Sequence, residues 1–165
     1  MAIQKDYVWY VAYGSNMNME RFMYYIKGGF YPLIGQSYTG CTDKSDPVDS
    51  WPFKIPFERY FGLSYTRWGQ GGVAFIDPQV KGSTLGRAYL VTRQQYEEIK
   101  RQEGPQYNVD IDLGLFHGNP AMTFTSNHRV PGMHEPSPLY RFVFDQGVEQ
   151  THDLERIKGN SGAMF

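Results

Sequence analysis

The sequence has 165 residues, room for one domain with a real core. Its net charge of -1 gives no general attraction to nucleic acid or to an anionic membrane, and no run approaches the about 18 apolar residues needed to cross a bilayer. A single cysteine, Cys41, excludes a disulfide framework within the chain and favours a cytoplasmic setting.

Aromatic residues make up 16% of the chain, which argues for a sheet-rich, well-packed domain and against disorder. The N-terminus carries no signal-peptide cleavage pattern, and no repeat or low-complexity tract is present. The expectation is one domain over residues 1–165, with 158–165 as a frayed tail. Nothing in the sequence sets the oligomeric state.

Tyr7-Val8-Trp9-Tyr10-Val11-Ala12 is a continuous apolar and aromatic run, as in a strand buried on both faces. It stops at Tyr13-Gly14-Ser15-Asn16, the residue types of a tight turn. Residues 18–27 then read as a helix, with Met19, Phe22, Met23 and Ile26 on one face and Gly28-Gly29 ending it. Unpaired N–H groups at such a strand–turn–helix junction, aided by the helix dipole, can hold a carboxylate or phosphate.

Residues 35–49 read as a polar loop crossing the surface, or a lid. Residues 51–57 are apolar but carry Pro52 and Pro56, which fits only an edge strand. Strands are expected over 60–65, over 73–76 with Asp77-Pro78 as its end, and over 84–91 after a turn at Lys81-Gly82-Ser83. A second helix starts at Thr92, where Thr92 and Gln95 have capping-box spacing, and stops at Gly104-Pro105. Residues 109–113 alternate as a half-exposed strand, and 121–125 resemble another. A proline-rich loop with His128 and His134 follows over 127–138. Periodicity leaves 139–147 open between strand and helix. The whole reads as a mixed α/β (α+β) domain.

Glu103 falls in the last turn of the second helix. There the negative end of the helix dipole disfavours its charge, and aromatic surroundings would desolvate it. A carboxyl tuned toward neutrality can carry a proton both ways. Aromatic residues such as Trp51, Trp68 and Tyr140 are pocket candidates, although most aromatics in such a chain are core.

Four segments in order resemble the γ-glutamylcyclotransferase family. They are Val11-Ala12-Tyr13-Gly14-Ser15-Asn16-Met17 with Glu20-Arg21, and Gly71-Gly72-Val73-Ala74-Phe75-Ile76. The third is Gly86-Arg87-Ala88-Tyr89-Leu90-Val91-Thr92 with Gln102-Glu103-Gly104 and Tyr107. The fourth is Pro136-Ser137-Pro138-Leu139-Tyr140 with Gly147 and Glu149. The resemblance implies a small barrel-like mixed β-sheet flanked by helices, and a helix rather than a strand near residue 140. It implies Glu103 as catalytic acid/base, a substrate loop of Tyr13, Gly14, Ser15, Asn16 and Met17, and substrate contact by Tyr140, with Tyr107 as a further pocket residue. The implied reaction converts a γ-glutamyl amino acid or amine to 5-oxoproline plus a free amine, without metal or organic cofactor, with a γ-glutamyl group protecting a larger metabolite as the alternative substrate. The chain departs from the family in its longer 35–56 region and in the charges Asp110 and Asp112, so substrate selectivity is expected there.

Other chemistries find less support. Cys41 with His117, His128, His134 or His152 has no local signature of a nucleophilic pair, and His128 and His134 lack helical metal-ligand spacing. The glycines at 69–72 lack the lysine of a P-loop. A non-catalytic domain binding a small amino compound is the alternative of a different class.

Overall fold

The computed structural model describes residues 5–159. In chain order the elements are β1 (Tyr7–Ala12), a 3₁₀ turn (Ser15–Met17), α1 (Met19–Lys27), β2 (Gly29–Tyr31) and β3 (Gln36–Tyr38). They continue as β4 (Ser50–Gly62), β5 (Tyr65–Thr66), β6 (Gly69–Gln70), β7 (Val73–Thr92), α2 (Arg93–Glu103), β8 (Val109–Phe116), β9 (Asn119–Thr125) and α3 (Pro138–Lys158).

The apolar run at the N-terminus becomes the middle strand of a five-stranded sheet ordered β4-β7-β1-β9-β8. β1 pairs antiparallel with β7 and parallel with β9, and its residues 8–12 are all nearly inaccessible. Two strand neighbours and two covered faces explain why a run without polar alternation is stable there. The sheet curls into a half-barrel. Its edge strands β4 and β8 are not bonded to each other, so the expected barrel-like mixed sheet is present in open form.

β4 lies at the edge, where Pro52 and Pro56 leave few ladder bonds unmade. The strands expected at 51–57 and 60–65 are largely one 13-residue strand. Asp77-Pro78 likewise does not end a strand, because β7 runs 20 residues. Opposite β4, Glu58 faces Asp77 while Phe57 faces Lys81, so residues 78–80 are accommodated as a bulge. The Asp77 carboxylate accepts the Gln79 N–H at 2.9 Å and stabilises that kink. The result is one long bent ribbon instead of two strands and a turn.

Within the expected 35–49 loop, Gln36–Tyr38 forms β3 and pairs with β2. α1 buries Arg21, Phe22, Tyr25 and Ile26, so the buried face is rotated from the expected one, and Met19 and Met23 are only half-buried. α2 begins with the capping box of Thr92 and Gln95, a feature worth about 1 kcal/mol. Residues 139–147 belong to the long helix α3, which Ser137 caps. Lys158 is the last residue of α3, and Gly159 its cap; residues 160–165 of the expected tail lie outside the described residues. Among the described residues no helix is long and apolar enough to cross a membrane.

Candidate active site

A cavity of about 290 Å³ opens where the turn after β1, the end of α2 and the start of α3 meet. Tyr13, Gly14, Ser15, Asn16, Glu103, Tyr107 and Tyr140 all line it, so residues spread over most of the chain converge on one site. Met17 does not. It is fully buried beneath the turn, where its N–H closes the 3₁₀ turn on Gly14 O and its carbonyl accepts from Arg87, so the structure does not bring it to the cavity with the other expected loop residues.

Glu103 is the last residue of α2. Gln102 fixes this helix end by donating to Tyr25 O at 2.9 Å and accepting from Gly40 N at 3.0 Å. The Glu103 carboxyl lines the cavity and accepts from Asn16 Nδ2 at 2.7 Å; the same amide donates to the Tyr10 hydroxyl at 3.1 Å. Burial pushes the carboxyl above the ordinary glutamate range. Arg21 and Arg67, and then the hydrogen bond from Asn16 and the nearby Tyr25 hydroxyl, pull it partly back. Such a group accepts and returns a proton more readily than an ordinary surface carboxylate.

The turn offers specific backbone donors. Ser15 N–H is taken by the Tyr140 hydroxyl and Met17 N–H by Gly14 O, while Gly14 N–H and Asn16 N–H have no acceptor among the described residues. Arg59 Nε donates to Tyr13 O at 2.9 Å from outside the cavity, and Tyr89 donates to Asn16 O at 2.7 Å. In a planar trans peptide the N–H points opposite the C=O, so the Gly14 N–H is directed away from Arg59. Asn16 Oδ1 is also buried without a partner.

Tyr140 knits the wall. Its hydroxyl accepts from Ser15 N–H at 3.3 Å and from Ala74 N–H at 3.2 Å, which leaves its own proton free to donate. Burial pushes this phenol up to about 12, with the Glu103 charge adding to the rise, so it stays a donor at neutral pH. A Cβ on Gly14 would lie 2.6 Å from that hydroxyl, which is why the turn needs glycine there. Tyr107 donates to Ala74 O at 2.9 Å and stacks on Phe75, closing another side.

No residue of 35–56, where selectivity was expected, lines the cavity. Leu63, Tyr65, Thr66, Arg67 and Trp68, around the small β5–β6 hairpin, form the mouth. Trp68 and Tyr140 line the cavity as expected of aromatic candidates. Trp51 instead stacks on His117, beneath Lys158. Sequence reasoning missed the site roles of Arg21, Tyr25 and Arg67. The one available signal was Arg21 one helical turn before Tyr25, a charge on the apolar side of α1. Cys41 is buried with its thiol against Tyr25 O and, more distantly, Gln95 O.

No family model matches the chain. A solved structure titled gamma-glutamyl cyclotransferase superposes with a TM-score of 0.57 at 18% identity, covering 93% of this chain and 87% of that one. The chain has a γ-glutamyl cyclotransferase-like fold. An uncharacterized protein from Homo sapiens superposes on 93% of this chain and 88% of its own, with a TM-score of 0.59 at 19% identity. By sequence, 112 residues are 37% identical to part of Histone deacetylase 5 of Arabidopsis thaliana, which covers 66% of this chain. The match spans only 17% of that longer protein.

Proposed function

We propose that the chain is a γ-glutamylcyclotransferase-type enzyme that releases 5-oxoproline from a γ-glutamyl compound. The observation that carries this reading is the Glu103 carboxyl, raised by burial and held by Asn16 beside unpaired N–H groups of the glycine turn. A γ-glutamyl compound carries its own nucleophile. Bound in a curled form, its α-amine lies on the γ-carbonyl, and this proximity supplies much of the barrier reduction.

Glu103 takes a proton from the α-ammonium. The amine attacks the γ-carbonyl, and Gly14 N–H, Asn16 N–H and the Tyr140 hydroxyl are the available donors to the resulting oxyanion. The C–N bond to the leaving amine then breaks as Glu103 returns the proton to it, and Glu103 next takes the second proton that the ring nitrogen sheds on becoming the lactam and passes it to the released amine, which leaves as its ammonium. The products are 5-oxoproline and a free amine or amino acid. Every proton moves between substrate and Glu103, so this scheme calls for no cofactor. The leaving group is an amino acid, an amine or a larger metabolite, and a cytoplasmic setting suits the reduced Cys41.

The test is a panel of γ-glutamyl amino acids, γ-glutamyl amines and glutathione, assayed for 5-oxoproline. The expected result is product from at least one member, lost by a factor of about 100 or more in Glu103→Gln. Saturable ligand binding without product in the wild type would overturn this in favour of a binding domain.

A further inference from the structure

Arg21 is 2% exposed, yet its guanidinium has no carboxylate in ion-pair contact among the described residues. Four rings surround it instead, with centroids at 4.8 Å for Tyr25, 4.9 Å for Tyr31, 4.7 Å for Tyr38 and 5.1 Å for Trp68. Its Nε and Nη1 are buried without hydrogen-bond acceptors, while Nη2 donates to the Tyr25 hydroxyl at 2.9 Å. Arg21, Tyr25 and Glu103 line the same cavity, and both the Arg21 charge and Tyr25 favour the ionised Glu103 carboxyl.

This is an unusual way to keep a buried cation. A carboxylate partner would cancel most of its field, whereas aromatic faces stabilise the charge without neutralising it. The uncancelled charge is free to act on its neighbours in the cavity wall. One of them is the acid that the proposed reaction requires to be ionised first.

We propose that Arg21 is a positioning residue that acts through the Tyr25 hydroxyl to hold Glu103 in the ionised, proton-accepting state. The inference rests on the cyclotransferase reading for its catalytic meaning, but the coupling exists with or without turnover. The other groups facing Glu103 are Arg67 from the β5–β6 hairpin, Tyr10, Tyr13 and Asn16 from β1 and its turn, Tyr107 after α2, and Tyr140 from α3. Of these only Arg67 is cationic, and it sits exposed at the mouth, where solvent screens it.

The experiment compares Arg21→Met, Arg21→Lys and Tyr25→Phe in the full chain. It reads the acid limb of kcat/KM and, independently, the titration of the Glu103 side chain by NMR of glutamate-labelled protein, assigned by its loss in Glu103→Gln. In Arg21→Met both midpoints should rise by about one pH unit or more, the effect of removing a nearby cation. Tyr25→Phe should raise them by less, and Arg21→Lys, which keeps the charge, should stay nearer to wild type. An unmoved NMR midpoint in Arg21→Met overturns the inference, as a merely structural role would change stability and leave the midpoint alone. If Arg21→Met does not fold, an unmoved midpoint in Tyr25→Phe, which loses a single oxygen, overturns it instead. A wild type that lacks turnover but shows the Arg21-dependent midpoint removes the cyclotransferase reading and supports the coupling.

Discussion

Asn16 and Glu103, 87 positions apart, are joined by a 2.7 Å hydrogen bond from Asn16 Nδ2 to Glu103 Oε1. The bond ties the glycine turn to the end of α2, so the group that moves protons and the groups that bind anions keep a fixed separation. It also supplies only one donor to a carboxylate that has lost much of its water, which is less than full compensation.

That imbalance has a pH signature. The folded-state pKa of Glu103 lies above its unfolded value. The group therefore favours the fold below the unfolded pKa, and this contribution is lost as pH rises through the folded pKa. Glu103→Gln keeps an oxygen for Asn16 and removes the charge. Its Tm should exceed that of the wild type at neutral pH, and the gap should close in acid. Thermal unfolding across the pH range checks this; a gap that does not vary with pH would count against the assignment.

Gly14→Ala should damage both folding and turnover. The added methyl would meet the Tyr140 hydroxyl at 2.6 Å and the Ala74 Cβ at 3.2 Å. The expected loss is about 1–3 kcal/mol, typical of overpacking. Adding Tyr140→Phe removes the oxygen in the way, so the double variant should recover part of the stability while activity stays low. Denaturant unfolding of the two single variants and the double variant measures the coupling.

Local signals were legible where the local chain decides the outcome. The apolar run of β1, the Thr92–Gln95 cap and the two edge-strand prolines each have one good structural solution, and the structure adopts it. The convergence of Tyr13, Asn16, Glu103 and Tyr140 followed only from family resemblance, since periodicity says nothing about contacts across a hundred residues. Asp77-Pro78 has the composition of a turn, and only the register with β4 makes it a bulge. Arg21 reads as a surface charge by residue type, because the rings that bury it come from β2, β3 and the β5–β6 hairpin as well as α1. Selectivity was expected at 35–56 because loop length is visible in sequence; that the cavity is lined instead by residues 63–68 is a matter of loop position, which is not.

Cys41 should be chemically silent in the native protein. Burial pushes its thiol up to about 12, so the nucleophilic thiolate is scarce at neutral pH. A thiol reagent should label it only after denaturant is added, and Cys41→Ser should retain wild-type turnover. Rapid labelling of the folded protein, or loss of activity in the variant, would contradict this.

The single oxygen of Tyr140 receives N–H groups from residues 15 and 74 while its own chain position lies at the start of α3. Three distant parts of the polypeptide therefore share one atom as their meeting point. No one of them can peel away and leave the other two in working order. The site should be lost in a single cooperative step with the docking of α3, which makes turnover itself a sensitive gauge of whether the C-terminal helix is seated.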